Sequence, residues 1–241
     1  MSLPVIVTPD YECKLVSLPK PIKIRPYLVK EEKLLLMAQQ GGDSTEIENA
    51  VKQIIRNCTN NMVNPDKLPT FDIEYLFLQL RAKSVNDIVE TRFECQNMVT
   101  PEAVGDINVS PVKCGTLVPV TINLNDIKIT IPEGHTNDVK LTDIIGVRLR
   151  YPTNETPTHD ITKTIGACIG TIYNTVSGET WEPEPGPDLD DWVESLSLKQ
   201  LDTIKVFFQT MPHLEYKFTF ACPKCKYTED VVLRGLADFF D

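Results

Sequence analysis

The chain has 241 residues, 41 % of them hydrophobic, with 34 acids against 24 bases and a formal net charge of −10. That length allows one large domain or two small ones with an ample core, and the negative balance repels phosphate backbones, which argues against nucleic-acid binding as the main task. No apolar run reaches the roughly 18 residues of a membrane span, and Met1-Ser2-Leu3-Pro4 lacks a charged-then-apolar leader; a reducing cytoplasm is therefore expected, where the seven cysteines are thiols or metal ligands rather than disulfides.

The first segment, 1–28, is expected to be extended, because Pro4, Pro9, Pro19, Pro21 and Pro26 forbid an early helix. Lys23-Ile24-Arg25-Pro26 reads as an edge strand entering a turn. A helical unit follows over 29–84. Its first helix runs from about Val29 to Gln40 and is stopped by Gly41-Gly42. The run Leu34 to Met37 is so apolar that cover on more than one side is expected. Asp43 with Glu46 opens a second helix, whose Ile47, Val51, Ile54, Ile55 and Cys58 share one face. Cys58 then packs as a small hydrophobe. A third helix begins near Phe71 or Asp72 and carries Ile73, Leu76, Phe77 and Leu80 inward. Asp72 and Glu74 read as solvated acids at its N-terminus.

Residues 85–150 alternate as strands: Ile88 to Glu94, Leu117 to Leu124, Ile127 to Ile131 and Val139 to Arg150. The break between the last two holds His135, expected to face solvent. Ile161, Ile165, Cys168, Ile169 and Ile172 then follow helical spacing, predicting a helix over 158–172 with Cys168 on its core face. A proline-rich acidic loop with Trp181 leads to helices over 188–211, the second opened by a Ser197/Gln200 capping box. Pro212 stops it. A strand over 214–220 and another reaching Leu233 close the body, leaving Leu236, Phe239 and Phe240 as an apolar tail.

Twice the chain writes strand, cysteine, loop, Lys-Cys, strand: Phe93-Glu94-Cys95 with Lys113-Cys114-Gly115, and Phe220-Ala221-Cys222 with Lys224-Cys225. Two hairpins offering two thiolates each make a closed tetrahedral zinc site, structural because no position is left open. Cys95, Cys114, Cys222 and Cys225 are the expected ligands. Cys222-Pro223-Lys224-Cys225 is a good knuckle; the long insert Gln96 to Lys113 is not a standard spacing. The alternative of a redox pair at Cys222 and Cys225 fits less well, since redox Cys-x-x-Cys sits at a helix N-terminus and this one lies between strands. The expected fold is thus α+β: an N-terminal helical unit packed on a β-rich body, 85–241, closed by a zinc-ribbon-like clip and carrying C-terminal helices.

An enzyme is not expected. His135, His159 and His213 stand in no HExxH or triad spacing, and no glycine-rich phosphate loop is present. Three long stretches instead resemble the T4-like phage baseplate family, which contains a hub subunit also described as a hub assembly chaperone. They are Ile24-Arg25-Pro26-Tyr27-Leu28-Val29-Lys30-Glu31-Glu32-Lys33, Ala50-Val51-Lys52-Gln53-Ile54-Ile55, and Leu68-Pro69-Thr70-Phe71-Asp72-Ile73-Glu74-Tyr75-Leu76-Phe77. Leu201 to Pro212 and the ending from Cys222 to Phe240 are similar to that family too. The resemblance implies a contractile-tail phage protein made in the cytoplasm of the infected bacterium. Its implied task is building the baseplate's central hub by contact with other hub or wedge proteins, without substrate or catalytic residues. A permanent place in the virion baseplate is the alternative, and a zinc-dependent nucleic-acid binder a distant third. The partner surface expected from the residues is the basic extended segment, Lys20, Lys23, Arg25 and Tyr27, with Phe239 and Phe240 as a second anchor.

Overall fold

A computed structural model describes residues 6–101, 110–157 and 159–235. It is a mixed α+β fold in which, among the described residues, every strand pairing is antiparallel. The opening segment is a short hairpin, β1 (Tyr11–Cys13) with β2 (Ile22–Ile24). Its alternation puts Cys13, Leu15, Ile22 and Ile24 in one core with the helices that follow. Those helices are α1 (Val29–Gly41), α2 (Ser44–Cys58) and α3 (Thr70–Ser84). Backbone bonds sew hairpin to helices: Arg25 N–H donates to the Cys58 carbonyl (2.9 Å), and Tyr27 N–H to Ser84 Oγ (2.8 Å). Asp72 adds a third stitch. It is buried rather than solvated, because its carboxylate accepts Val16 N–H (2.9 Å) and Ser17 N–H (2.8 Å).

α2 follows its predicted face, with Asp43 accepting the Thr45 N–H at its start and Val51, Ile54, Ile55 and Cys58 buried. α1 departs from expectation. Only Glu31, Leu35 and Ala38 face inward, at i, i+4 and i+7, while Val29 is 74 % and Met37 70 % exposed and Leu34 and Leu36 are exposed too. A single inward stripe suffices because α1 packs chiefly on α2. α3 is the shared wall. Ile73, Leu76, Phe77 and Leu80 enter the core of the hairpin and helices, while Phe71 and Leu78 enter a second core on the opposite side.

That second core lies under two sheets. The chain runs through β3 (Ile88–Glu94), β4 (Met98–Val99), β5 (Val112–Lys113), β6 (Leu117–Asn123) and β7 (Lys128–Thr130). It continues through β8 (Asp138–Lys140), β9 (Ile145–Leu149), α4 (Ile161–Cys168), β10 (Ile169–Asn174) and β11 (Thr180–Trp181). It ends with α5 (Pro187–Glu194), α6 (Leu198–Gln209), β12 (His213–Ala221) and β13 (Thr228–Arg234). β3 pairs with β6, and β12 pairs with both β13 and β7. Between them they bury Ile122, Leu124, Ile127, Leu214 and Leu233 against α3.

A third core fills the space between the β11-β10-β9-β8 sheet and α4 to α6. Here the helix predicted over 158–172 ends at Cys168, and Ile169 begins a strand. The reason is close approach. A Cβ on Gly170 would lie 3.1 Å from the Arg148 carbonyl and 2.8 Å from Arg150 Nε, so glycine lets the chain bulge at 170 close beside its sheet neighbour β9. The flanking β-branched Ile169, Thr171 and Ile172 suit a strand better than a helix turn.

His135 corrects a second expectation. It does not face solvent. Its Nδ1 lies 2.9 Å from Thr210 Oγ1 and its Nε2 2.9 Å from Tyr151 Oη. The ring stacks on Tyr151 and Phe207, with centroids 5.7 and 5.3 Å away. Burial holds its pKa below the usual histidine value, so the neutral ring fastens the β7–β8 loop to α6.

Candidate metal centre

β3 delivers Cys95 and β12 delivers Cys222, each just past the last residue of its strand. The first knuckle closes through three bonds: Cys95 N–H to the Thr116 carbonyl (2.9 Å), Gly115 N–H to the Cys95 carbonyl (3.1 Å), and Cys114 N–H to the Asn97 carbonyl (2.8 Å). The insert between Cys95 and Cys114 leaves as β4 and returns as β5, with Met98 opposite Lys113. The described ends of the long gap therefore pair beside the knuckle and hold the two cysteines close at its base. In the second knuckle Lys226 N–H donates to the Cys222 carbonyl (3.0 Å) and Cys222 N–H to the Tyr227 carbonyl (2.9 Å).

The two turns share one backbone feature. The residue directly after the second cysteine is left-handed in both, Gly115 at φ 63° and Lys226 at φ 61°. Glycine takes that conformation freely, whereas an L side chain pays about 1–2 kcal/mol. Gly115→Ala is thus expected to lower unfolding free energy by about 1 kcal/mol or more, and Lys226→Gly to raise it by up to about 1 kcal/mol. Urea titrations of both variants check the pair of signs.

The structure brings all four cysteines together. Cys95 Sγ is 3.6 Å from Cys225 Sγ, Cys114 Sγ is 3.8 Å from Cys222 Sγ, and all four lie within 4.8 Å of one another. These separations are too long for disulfides. They suit a shared ion: tetrahedral geometry with Zn–S bonds of about 2.3 Å puts sulfurs about 3.8 Å apart. The donor set fits as well as the spacing does. Cys95, Cys114 and Cys222 are buried, Cys225 partly so, and the cluster is walled by Phe93, Phe218, Phe220, Val118 and Val231.

Hydrogen bonds to sulfur orient the set. Asn97 Nδ2 approaches Cys225 Sγ at 3.6 Å, and Thr116 Oγ1 lies 3.3 Å from Cys114 Sγ. The backbone N–H groups of Cys225 and Lys224 hold the Cys222 thiol down to about 6, while burial pushes Cys95 up to about 12. By contrast, burial pushes Cys58 and Cys168 up to about 11, well away from the cluster, as packed and unreactive thiols. Asn97 and Thr116 escaped the sequence reading. Their one signal is position, two residues after Cys95 and two after Cys114.

Residues 8–241 match the family described as T4 bacteriophage base plate protein. The chain belongs to that family. The matched span includes the four cysteines and every element described above. Among curated proteins, the chain is similar to the baseplate hub assembly protein gp26 of Enterobacteria phage T4. The two are 26 % identical over 226 residues, covering 92 % of this chain and 93 % of that protein. No solved structure matches.

The other residues expected to form a site divide in two. Lys20 and Lys23 are exposed on the β1–β2 hairpin. Arg25 and Tyr27 are not surface groups: Arg25 is turned onto Glu31, with Nη2 3.0 Å from Oε1, and Tyr27 is buried in the helical core. The burial of Tyr27 follows from the turn that leads β2 into α1. Phe239 and Phe240 lie outside the described residues. No helix among the described residues is long and apolar enough to cross a membrane.

Proposed function

We propose that this baseplate-family protein acts in assembling the central hub of the phage baseplate through protein–protein contacts. In this reading it has no catalytic chemistry of its own, and its fold is held by one structural zinc ion on Cys95, Cys114, Cys222 and Cys225. The observation that carries the assembly role is the likeness to a hub assembly protein over nearly the whole of both chains. The metal reading rests on sulfur separations that match a tetrahedral tetrathiolate. Four thiolates complete the coordination shell, which leaves no open position for substrate or water and so favours a clip over a catalyst. The clip joins the start of the β body to its end. Residues 85–241 therefore act as one folding unit, with 1–28 and 29–84 as the hairpin and helices beside it. The place of action is the assembling baseplate in the infected cell, and the partners are other hub or wedge proteins.

Co-expression with the hub proteins of the same phage, followed by affinity capture and by mass spectrometry of purified virions, tests the assembly role. An assembly factor is captured with a hub protein and is absent from the virion. Stoichiometric peptides in virions would make it a permanent subunit, and capture of no baseplate protein would overturn the hub reading. Charge reversal belongs at Lys20 and Lys23, which are exposed, and not at Arg25, whose guanidinium is spent on Glu31.

A further inference from the structure

The β3–β6 hairpin and the β13-β12-β7 sheet lie over one core, and on one side the space between them stays open. A cleft of about 410 Å3 there has an apolar floor of Phe93, Phe220, Val231 and Leu233 and a polar rim that includes Arg92, Glu94 and Glu229. β3 and β13 are both edge strands, and among the described residues no strand pairs with the outer edge of either.

The ladder fixes which backbone groups point outward. Leu124 N–H bonds the Asp87 carbonyl (2.7 Å) and Cys95 N–H bonds the Thr116 carbonyl (2.9 Å), in register with β3–β6 at its two ends. Odd-numbered residues of β3 therefore exchange bonds with β6. Ile88, Glu90, Arg92 and Glu94 aim their N–H and C=O groups away from it. On β6 the outward residues include Pro119, which has no N–H to give, so that edge is closed to strand addition. The β3 edge has no proline; its ends are capped locally, Ile88 N–H donating to Asn86 Oδ1 (3.1 Å) and the Glu94 carbonyl accepting from Gln96 Nε2 (3.1 Å), so Glu90 and Arg92 are its open groups.

We propose that β3 is a self-association edge: it pairs antiparallel with β3 of a second copy of this chain, about a twofold axis at Thr91, making a four-stranded sheet from two hairpins. Thr91 is the middle of Ile88–Glu94, so this register pairs the open backbone groups of Glu90 and Arg92 with those of the partner. It sets Glu90 opposite the partner's Arg92, and by symmetry does so twice. On the inner face it sets Val89 opposite the partner's Phe93 and Thr91 opposite the partner's Thr91. Opposite charges, a β-branched residue against an aromatic, and threonine against threonine are the cross-strand pairs that stabilise antiparallel sheets. Moving the axis to Arg92 would oppose Arg92 to itself and Glu90 to the partner's Glu94, and like charges directly opposite destabilise. This association stands independently of the hub reading.

Sedimentation equilibrium of the full chain over a concentration series tests it, with near-ultraviolet circular dichroism to verify that each variant is folded. The wild type is expected to show a reversible dimer. Arg92→Glu and Glu90→Arg should each weaken it at least about tenfold, by turning two attractive pairs repulsive, and the double variant should restore it. A monomer at every concentration would overturn the proposal. So would a dimer indifferent to both single reversals, or a double variant as weak as the singles.

Discussion

Cys222→Ser is expected to unfold the β body at room temperature, whereas Cys58→Ser or Cys168→Ser leaves a folded protein with a lowered midpoint. The difference is one of scale. A structural tetrathiolate zinc site supplies roughly 10 kcal/mol or more of folding free energy, while a whole domain keeps only about 5–15 kcal/mol in net. Losing one of four ligands therefore removes an amount comparable to the entire stability. Cys58 and Cys168 are buried thiols away from the cluster, and a hydroxyl in their place costs about 1–3 kcal/mol. Far-ultraviolet circular dichroism with urea titration separates the two outcomes, and a strong chelator added to wild type should reproduce the Cys222→Ser curve. Equal midpoints for Cys222→Ser and Cys58→Ser would mean that the cluster packs as thiols and holds no ion.

Arg25→Ala is expected to cost about 2–3 kcal/mol, because it takes the nearer of two cations from a buried carboxylate and leaves only Lys30 Nζ at 3.5 Å. Glu31 is 0 % exposed and accepts bonds from Arg25 Nη2 (3.0 Å), the Leu28 N–H (2.8 Å) and Asn57 Nδ2 (3.3 Å). Burial alone would raise its pKa. The Arg25 guanidinium and the Leu28 N–H outweigh that and hold the carboxyl below its usual value of 4.5. A carboxylate lowered in the folded state contributes stability that is fully present above its unfolded pKa and is lost as pH falls through the folded one. The wild type should therefore lose midpoint temperature below about pH 4.5, and Glu31→Gln should show a flatter acid limb from a lower starting point. Parallel acid limbs would show that Glu31 is not the group that titrates.

The parts of the fold legible in sequence are those governed by local rules. The α2 face from Ile47 to Cys58, the Ser197/Gln200 capping box of α6 and the alternation of β3 over Ile88–Glu94 all appear where spacing puts them. So does the bringing together of four cysteines, because Cys95 and Cys222 directly follow the strands β3 and β12 while Cys114 and Cys225 lie in the returns toward β6 and β13. Misread parts depend on distant neighbours. Gly170 reads as a weak helix position until β9 is seen beside it in the sheet, and His135 reads as a loop residue until it is seen to complete a three-ring cluster with Tyr151 and Phe207. Asp72 looks like an ordinary acid at a helix start, and only the return of Val16 and Ser17 makes it a buried acceptor. Arg25 and Tyr27 misled for the same reason: their partners Glu31 and α3 come later in the chain. On α1 the error ran the other way, since an apolar run gives no hint of which side its neighbours will leave bare.

Native mass spectrometry with elemental analysis, on protein purified without chelator, counts the ions held by the four cysteines. One zinc per chain, absent from Cys222→Ser and from Cys95→Ser, is the predicted result. A folded, metal-free wild type, or zinc retained by both variants, would contradict it.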